Sequence, residues 1–283
     1  MIDPDYSNTY YFIKMNDNYD FIESPIRIST MVVTADWGSP IKLPILFEQC
    51  RNHLIPIGYP DEGILKHEHM NTVLGACEKD IFTNRKVTNK SFFNQSTIVL
   101  RRFVSNERGF KEVNVKLFAN GGIQMTGVIN EEFSLRSLQW LLKFIKSLPK
   151  NPFEFPENAE ICKFQTQLIN TDYSLKYNIN QEVLHRLLID KYGIFSMLEK
   201  TMYQGVNTKY FINSLSKKEG ICGCTKICKG KGDGDGDGDC KKITLSMFRT
   251  GKIIITGARK MNEITQSYNF LNRVINENRH VLV

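Results

Sequence analysis

Apolar and polar residues alternate along two segments of the chain, residues 115–126 and 243–256. Each segment consists of two runs separated by a short turn that contains glycine. Because successive side chains of a β-strand point to opposite faces, the pattern predicts two antiparallel strand pairs, each with one aliphatic face. The residues assigned to these faces are Val115, Leu117, Ile123 and Met125 in the first pair, and Ile243, Leu245, Met247, Ile253 and Ile255 in the second.

A helical pattern follows each strand pair. Apolar residues recur there at the three- and four-residue spacing of an amphipathic helix, so we expect each helix to cover the aliphatic face of its own sheet. Asn130 is suited to cap the first helix, and Glu131 and Glu132 in its first turn match the helix dipole. The apolar stripes comprise Leu138, Leu141, Leu142 and Ile145 in the first helix, and Ile264, Tyr268, Leu271 and Ile275 in the second.

These two strand–turn–strand–helix cassettes are versions of one sequence. Residues 117–145, LFANGGIQMTGVINEEFSLRSLQWLLKFI, align without a gap with residues 247–275, MFRTGKIIITGARKMNEITQSYNFLNRVI. Strand and short-helix patterns precede each cassette in the same order, for example IRISTMVVTADWG before the first and CKFQTQLINTDYSLKYNI before the second. The sequence therefore indicates an internal duplication of a strand–helix–sheet–helix unit.

The duplication predicts the organisation of the chain. An arm, residues 1–24, leads into a first repeat, residues 25–148. A linker rich in Pro and Asn, residues 149–158, leads into a second repeat, residues 159–283, which carries a Cys/Gly/Asp-rich hairpin insert at 217–242.

The opposite face of each strand pair is mixed polar and carries a phenylalanine just before the turn. Phe118 and Phe248 occupy matching positions there. A single aromatic residue of this kind usually packs on a neighbouring strand, and that alternative stays open. Two at matching positions favour a shared binding surface, and apolar wedges on a helix-free sheet suit the minor groove of DNA. The other residues of these faces are Lys116, Gln124 and Thr126 in the first pair, and Thr244, Ser246, Ile254 and Thr256 in the second.

The amino-acid composition limits the classes of protein to which the chain can belong. The chain has 283 residues, 41% hydrophobic and 24% charged, which is typical of a globular protein. Its net charge of +7 permits a polyanionic partner without requiring one. No apolar run reaches the roughly 18 residues of a membrane span, and the N-terminus does not resemble a signal peptide, so we expect an intracellular protein. Seven cysteines in such a chain favour reduced thiols or metal over disulfides.

Four of the cysteines lie in the insert. Cys222, Cys224, Cys228 and Cys240 could form a tetrahedral zinc site, although the spacing C-x-C-x3-C-x11-C is not the usual pair of C-x-x-C motifs. The alternative is a flexible hairpin tip with free thiols. The run Asp233, Asp235, Asp237, Gly238 imitates the start of an EF-hand loop, but Thr244 replaces the glutamate at position twelve, so the run reads as a solvated acidic linker.

Catalytic patterns are weak. His67, Glu68 and His69 lack the i, i+4 spacing of a helical zinc site, and we expect them in a surface segment. Cys50 and His53 are close in sequence, but a nucleophilic pair requires a spatial arrangement that sequence does not show. The sequence predicts no enzyme.

The segment FRTGKIIITGA, residues 248–258, resembles the F-x-S-G-K-I-x-x-T-G-A signature found in each repeat of the TATA-box-binding protein family, and FANGGIQMTGV is a weaker version. Residues 29–52 and 164–184 resemble the openings of that family's two repeats. The insert, the divergence and a composition rich in Asn, Lys and Ile resemble the TATA-binding-protein-like proteins of large nucleocytoplasmic DNA viruses. The resemblance implies an α+β fold: two repeats forming one curved antiparallel sheet, or saddle, with helices on the convex face.

The resemblance also implies site residues. The family's wedge phenylalanines fall on Phe118 and Phe248, its groove threonines on Thr126 and Thr256, and further groove positions on Val32 and Ile254. The chain departs from the family elsewhere. The asparagine that begins the first strand of each family repeat is replaced by Thr30 and Leu168. Aliphatic groove positions become Lys116, Gln124, Ser246 and Asn170. The second wedge of each repeat has no clean match: Phe93 and Tyr203 are nearby candidates, but the alignment puts Gln95 and Gln204 closer.

The function implied is a transcription initiation factor that binds and bends promoter DNA, preferring an AT-rich minor groove, and recruits polymerase or other initiation factors through its helical face. For a viral protein, the cytoplasmic virus factory, the nucleus and the virion all stay open as locations. Two alternatives remain: a protein–protein scaffold that has lost specific DNA binding, and a substrate-binding domain of an enzyme. Lys116, Gln124 and Asn170 on the presumed groove face favour the scaffold.

Overall fold

The structure is a computed structural model, and it describes residues 11–12, 19–82, 93–199, 201 and 204–283. The chain divides into two compact units. Among the described residues, the first unit comprises Thr30–Gln167, and the second comprises Leu168–Val283 together with the described part of Tyr10–Ser29. Two long strands, Ile22–Asp36 and Cys162–Leu175, contribute residues to both units.

The first unit is an antiparallel sheet with three helices. Its strand order is β4-β3-β5-β6-β7-β2, and every pairing is antiparallel. The elements are β2 (Ile22–Asp36), α1 (Leu43–Cys50), β3 (Gly63–His69), β4 (Thr72–Gly75), α2 (Glu78–Phe82), β5 (Gln95–Ser105), β6 (Gly109–Phe118), β7 (Gly122–Thr126) and α3 (Glu131–Ser147). Short 3-10 turns occupy Arg51–His53 and Pro156–Asn158.

The second unit repeats this plan. Its strand order is β8-β12-β11-β10-β9, again antiparallel. The elements are β8 (Cys162–Leu175), α4 (Gln181–Asp190), β9 (Phe195–Glu199), β10 (Gly205–Ile212), β11 (Lys241–Phe248), β12 (Lys252–Ala258), α5 (Met261–Glu277) and α6 (Arg279–Leu282). The short strand β1 (Tyr11–Phe12) pairs with β2 at Arg27 and Ile28.

The cores lie between each sheet and its long helix, as the alternation predicts. In the first unit the aliphatic face of β6 and β7 is at most 2% exposed, and Leu138, Leu141 and Ile145 of α3 are fully buried against it. In the second unit the corresponding face of β11 and β12 is fully buried, and Ile264, Leu271 and Ile275 of α5 are too. Leu142 is only partly buried. Asn130 caps α3 as expected, because its side chain accepts a hydrogen bond from the Phe133 amide at 2.7 Å.

The two cassettes also share their pairing register. Leu117 pairs with Ile123 in the first, and the aligned Met247 pairs with Ile253 in the second. A glycine with positive φ closes each turn, Gly121 at 95° and Gly251 at 80°, a conformation that favours glycine over any residue with a Cβ. The predicted α+β fold with antiparallel strands and covering helices is confirmed.

Candidate functional site

The open face of the first unit brings several predicted site residues together. Val32 pairs with Thr126, which also pairs with Asn114 of β6. In the next row of the sheet Gln124 lies between Thr34 and Lys116. Directly paired residues of antiparallel strands point to the same side, so these side chains form one continuous polar strip with a few apolar members. All of them are partly exposed. Helix α2 contacts the same face farther along β3 and β6, because Asp80 pairs with Lys66 at 2.8 Å and the Glu78 amide donates to Glu112 at 2.8 Å.

Phe118 lies at the end of this strip, where it pairs with Gln95 at the start of β5. Phe93, two residues earlier, is 74% exposed, the largest exposure of any described aromatic residue. The residue directly opposite Phe118 is therefore Gln95, and Phe93 stays a candidate for the second wedge. Tyr203, the corresponding candidate in the second repeat, lies outside the described residues.

The open face of the second unit contains the matching set. Ile254 pairs with Ser246, and Thr256 pairs with Thr244. Phe248 ends the face opposite Gly205 and is partly exposed. Ser246 is only 3% exposed, so it contributes little to this surface.

Near Thr30 and Asn170 the alternation of buried and exposed residues along the strand shifts by one position. In β2 the buried residues are Ile26 and Ile28 and then Met31 and Val33, so Ser29 and Thr30 are both exposed. Asn170 is partly exposed on β8; its backbone carbonyl accepts a hydrogen bond from the Ser29 hydroxyl at 3.1 Å, and its side-chain oxygen has no hydrogen-bond partner among the described residues.

An ion cluster on the second open face was not found by sequence reasoning. Arg27 Nε lies 2.5 Å from Asp172 Oδ1, and Lys252 Nζ lies 2.9 Å from Asp172 Oδ2. Burial raises the pKa of Asp172, but the hydrogen bonds and charges of Arg27 and Lys252 outweigh it, so the pKa lies below its ordinary value. Two cations thus share one carboxylate, and the cluster keeps a net positive charge.

Other basic residues lie on the same face. Lys209 pairs with Thr244, and its Nζ donates to the Thr244 hydroxyl at 3.0 Å. Burial and the neighbouring charge of Lys242 lower the pKa of Lys209. The described part of this face carries the cations Arg27, Lys209, Lys242 and Lys252 and the carboxylates Glu23, Asp172 and Glu199, so its balance is positive.

The edge strand β9 adds apolar surface to this basic face. Phe195 pairs with Lys209 and Met197 pairs with Asn207, so both side chains point to the open side. They are 55% and 51% exposed. An exposed apolar edge beside four cations suits a ligand that offers both negative charge and flat apolar rings.

The four cysteines of the insert form a compact cluster. The sulfurs of Cys222, Cys224, Cys228 and Cys240 all lie within 4.8 Å of one another. The Sγ atoms of Cys224 and Cys240 are 3.3 Å apart, and those of Cys240 and Cys222 are 3.6 Å apart. Sulfurs around a tetrahedral zinc ion are about 3.8 Å apart, given Zn–S bonds of about 2.3 Å. The cluster can therefore hold a metal ion with little movement.

A polar side chain supports these sulfurs. Asn213, just after β10, donates its amide to the Cys240 sulfur at 3.3 Å and to the Gly236 carbonyl at 2.6 Å. Burial raises the pKa of the Cys240 thiol, which is fully buried. Amide donors toward thiolate sulfur are the usual outer contacts of a metal site.

The acidic residues of the insert have structural partners. Asp237 accepts hydrogen bonds from the Thr225 amide and hydroxyl at 2.7 and 2.6 Å, and Asp233 pairs with Arg259 at 3.1 Å. Asp233, Asp235 and Asp237 are all exposed, as expected for a solvated run, and two of them also hold the loop through these contacts.

The surface position expected for His67 and His69 is also wrong. Both lie on β3 and are buried, at 0% and 6% exposure, because the Phe47 ring of α1 packs on them at centroid distances of 5.0 and 5.7 Å. The His67 ring contacts the Ser96 hydroxyl at 2.6 Å. Burial, aided by the neighbouring His69, lowers the pKa of His67 to about 3. Burial raises the pKa of Cys50 to about 12, which is unlike an activated nucleophile.

Among the described helices, none combines the length and the apolar character that a bilayer-spanning segment needs.

Comparison with known proteins adds three findings. Residues 239–278 match the model of a family described as transcription factor TFIID, or TATA-binding protein. A protein of Acanthamoeba polyphaga mimivirus, named TATA-box-binding protein-like, is 28% identical over 272 residues, covering 88% of this chain and 65% of the relative. The chain thus spans about two thirds of that relative's length. The solved TATA-binding protein of Methanococcus jannaschii aligns with a TM-score of 0.41 and 15% identity, covering 89% of this chain and 98% of that one. The resemblance to this family, and to its viral members, is confirmed.

Proposed function

We propose that this protein is a transcription initiation factor of the TATA-binding-protein type that binds promoter DNA in the minor groove and bends it. One observation carries the proposal: in both units a partly exposed phenylalanine ends a mixed polar sheet face at the same position of a repeated cassette. The match to the family model includes the second cassette, with Phe248, Ile254 and Thr256.

The chemistry of these faces suits the minor groove. Its floor presents hydrogen-bond acceptors at A·T pairs, which the hydroxyls of Thr126 and Thr256 and the amide of Gln124 can meet as donors. Val32 and Ile254 supply apolar contact with the sugar walls. Phe118 and Phe248 would insert at base steps, where lost stacking is offset by the larger contact that a bent duplex allows.

The cations of the second open face would meet phosphates. Arg27, Lys209, Lys242 and Lys252 give this face a positive balance that the first open face, with Lys116, carries less strongly. Such contacts add affinity without sequence preference, and the affinity falls as salt rises. Lys116, Gln124 and Asn170 stand where the family has apolar contacts, so we expect a wetter and less selective groove contact than a strict TATA element requires.

In this role the protein catalyses no reaction. Its output is a bent duplex and the recruitment of polymerase subunits or initiation factors through the helix side of each sheet, where α3 and α5 present their outer faces. In this role the protein would act where viral genes are transcribed in an infected cell.

The main rival is a scaffold that keeps the fold without specific DNA binding, and Lys116, Gln124 and the Asp172 ion cluster favour it. A salt-titrated binding assay separates the two. We expect tighter binding to an AT-rich than to a GC-rich duplex of equal length, with the preference persisting as salt rises, because groove contacts depend on salt less than phosphate contacts do. Equal affinity for both duplexes at every salt concentration, or no binding, would favour the scaffold.

We propose Zn²⁺ as the ion of the cysteine cluster. Soft thiolates favour zinc over the hard cations, and four sulfurs leave no open coordination position, so the role is structural. Elemental analysis of protein purified under reducing conditions should give about one zinc per chain, and Cys222→Ser should abolish it while Cys162→Ser, outside the cluster, should not.

A further inference from the structure

The insert is tied to the second unit at points outside the cysteine cluster. On one side Glu219 forms an ion pair with Arg273 of α5 and accepts a hydrogen bond from the Tyr210 hydroxyl at 3.2 Å. On the other side Arg259, just before α5, pairs with Asp233 at 3.1 Å and donates to the Lys231 carbonyl at 3.3 Å. In sequence, Cys222, Cys224 and Cys228 lie between these two attachments, and Cys240 follows the second.

Gly220 forms the closest contact of the insert with the body of the unit. Its amide carbonyl accepts a hydrogen bond from the Phe211 amide at 3.0 Å. A Cβ at this position would lie 2.5 Å from Ile194 and 2.7 Å from the Tyr210 ring, and φ is +75°. Only glycine fits, and the backbone therefore lies directly on an apolar surface made by Ile194, Tyr210 and Phe270.

These attachments are individually weak. The ion pairs involve side chains that are 28% to 57% exposed, and solvent-exposed pairs contribute between zero and about 1 kcal/mol. The loop from Asn213 to Cys240 is rich in glycine and has no helix or strand of its own. Ordering it costs conformational entropy that a few surface contacts do not offset.

We infer that zinc at the four-cysteine cluster fastens the insert onto the helix side of the second unit, so that the cover over Tyr210 and Ile194 depends on the metal. This rests on the proposed zinc site and adds a role to it. Cys240 precedes β11 directly and Asn213 follows β10 directly, so the ion would join the loop to the ends of both strands. Without the ion, the loop is released and the Tyr210 surface is uncovered.

Limited trypsin digestion tests this, because five exposed lysines lie in the insert: Lys217, Lys218, Lys226, Lys229 and Lys231. We expect the zinc-loaded protein to resist cleavage in this segment on the order of tenfold longer than protein stripped by a chelator under reducing conditions, because protease acts on the open form. Adding Zn²⁺ back should restore resistance. Mass spectrometry of the fragments locates the cuts, and the melting temperature shows that the rest of the chain stays folded.

Two variants separate fastening from metal binding. Gly220→Ala should keep its zinc but lose protection, because the added methyl group lifts the loop from Tyr210. Gly236→Ala, in the same insert with nothing within 4 Å of the added carbon, should behave as the native protein. A chain that binds no zinc would overturn the zinc assignment itself. A chain that binds zinc but is cleaved equally with and without it, or a Gly220→Ala variant as protected as the native protein, would overturn the fastening alone.

Discussion

At the scale of single residues, the open faces are defined by pairs that are far apart in sequence. Arg27 and Asp172 are 145 positions apart, and neither belongs to a recognisable motif. Their contact depends on the tertiary pairing of two long strands, which alternation does not encode. The sequence therefore predicted which face Phe118, Thr126, Phe248 and Thr256 share but missed the charged cluster on the same kind of face.

Asp172 leads to a prediction about salt dependence. Asp172→Asn leaves a single acceptor oxygen for Arg27 and Lys252 and adds one positive charge to the face. The slope of log affinity for duplex DNA against log salt should steepen by about 0.9. Glu157→Gln, an exposed change outside both sheets, supplies the same charge increase as a control and should leave the slope nearly unchanged. Equal slopes for the two variants would show that Asp172 is remote from bound DNA.

His67 leads to a prediction about acid stability. Its folded pKa of about 3 lies below the ordinary 6.5, so the unfolded chain takes up a proton first as pH falls. Stability should be constant above pH 6.5 and decline below it, by about 2 kcal/mol at pH 5. Urea unfolding at pH 7.5 and pH 5 measures this. His67→Leu should show a smaller decline, whereas His53→Leu, at an exposed position, should decline like the native protein.

At the scale of elements, alternation and helical periodicity predicted the cassettes because each of their faces has a single environment. Buried aliphatic residues point to the helix, and mixed residues point outward. The alternation of apolar and polar residues did not predict strand β3. Its polar residues Lys66, His67 and His69 are all buried, because α1 covers one side and ion pairs with Glu68 and Asp80 satisfy the lysine. Burial of polar side chains removes the pattern on which sequence reasoning depends.

The covering role of α3 can be tested within the helix. Leu141→Ala removes a fully buried side chain and should lower the free energy of unfolding by about 2–5 kcal/mol, through lost burial and the cavity left behind. Leu135→Ala, on the same helix at 37% exposure, should cost well under half as much. Denaturant unfolding of both variants gives the comparison. Equal costs would contradict the assignment of the buried face.

At the scale of the whole molecule, a duplicated cassette gives the protein two open sheet faces, each ended by a phenylalanine, and a zinc-type insert in the second unit alone. The matching registers are those that an internal duplication predicts, and the two faces differ in charge. The family resemblance is strongest in residues 239–278, the segment in which the chain also keeps its groove-type residues. We therefore expect the most specific DNA contact in the second unit.

The measurement that tests this most directly combines duplex binding and thermal melting of Phe248→Ala. If Phe248 wedges between base steps, affinity for AT-rich DNA should fall by about two decades and the bend should decrease, with little change in melting temperature. Phe155→Ala, an exposed phenylalanine outside the sheets, should bind and melt like the native protein. A large drop in melting temperature would place Phe248 in the core, and unchanged affinity and bending in a well-folded Phe248→Ala variant would contradict the groove assignment.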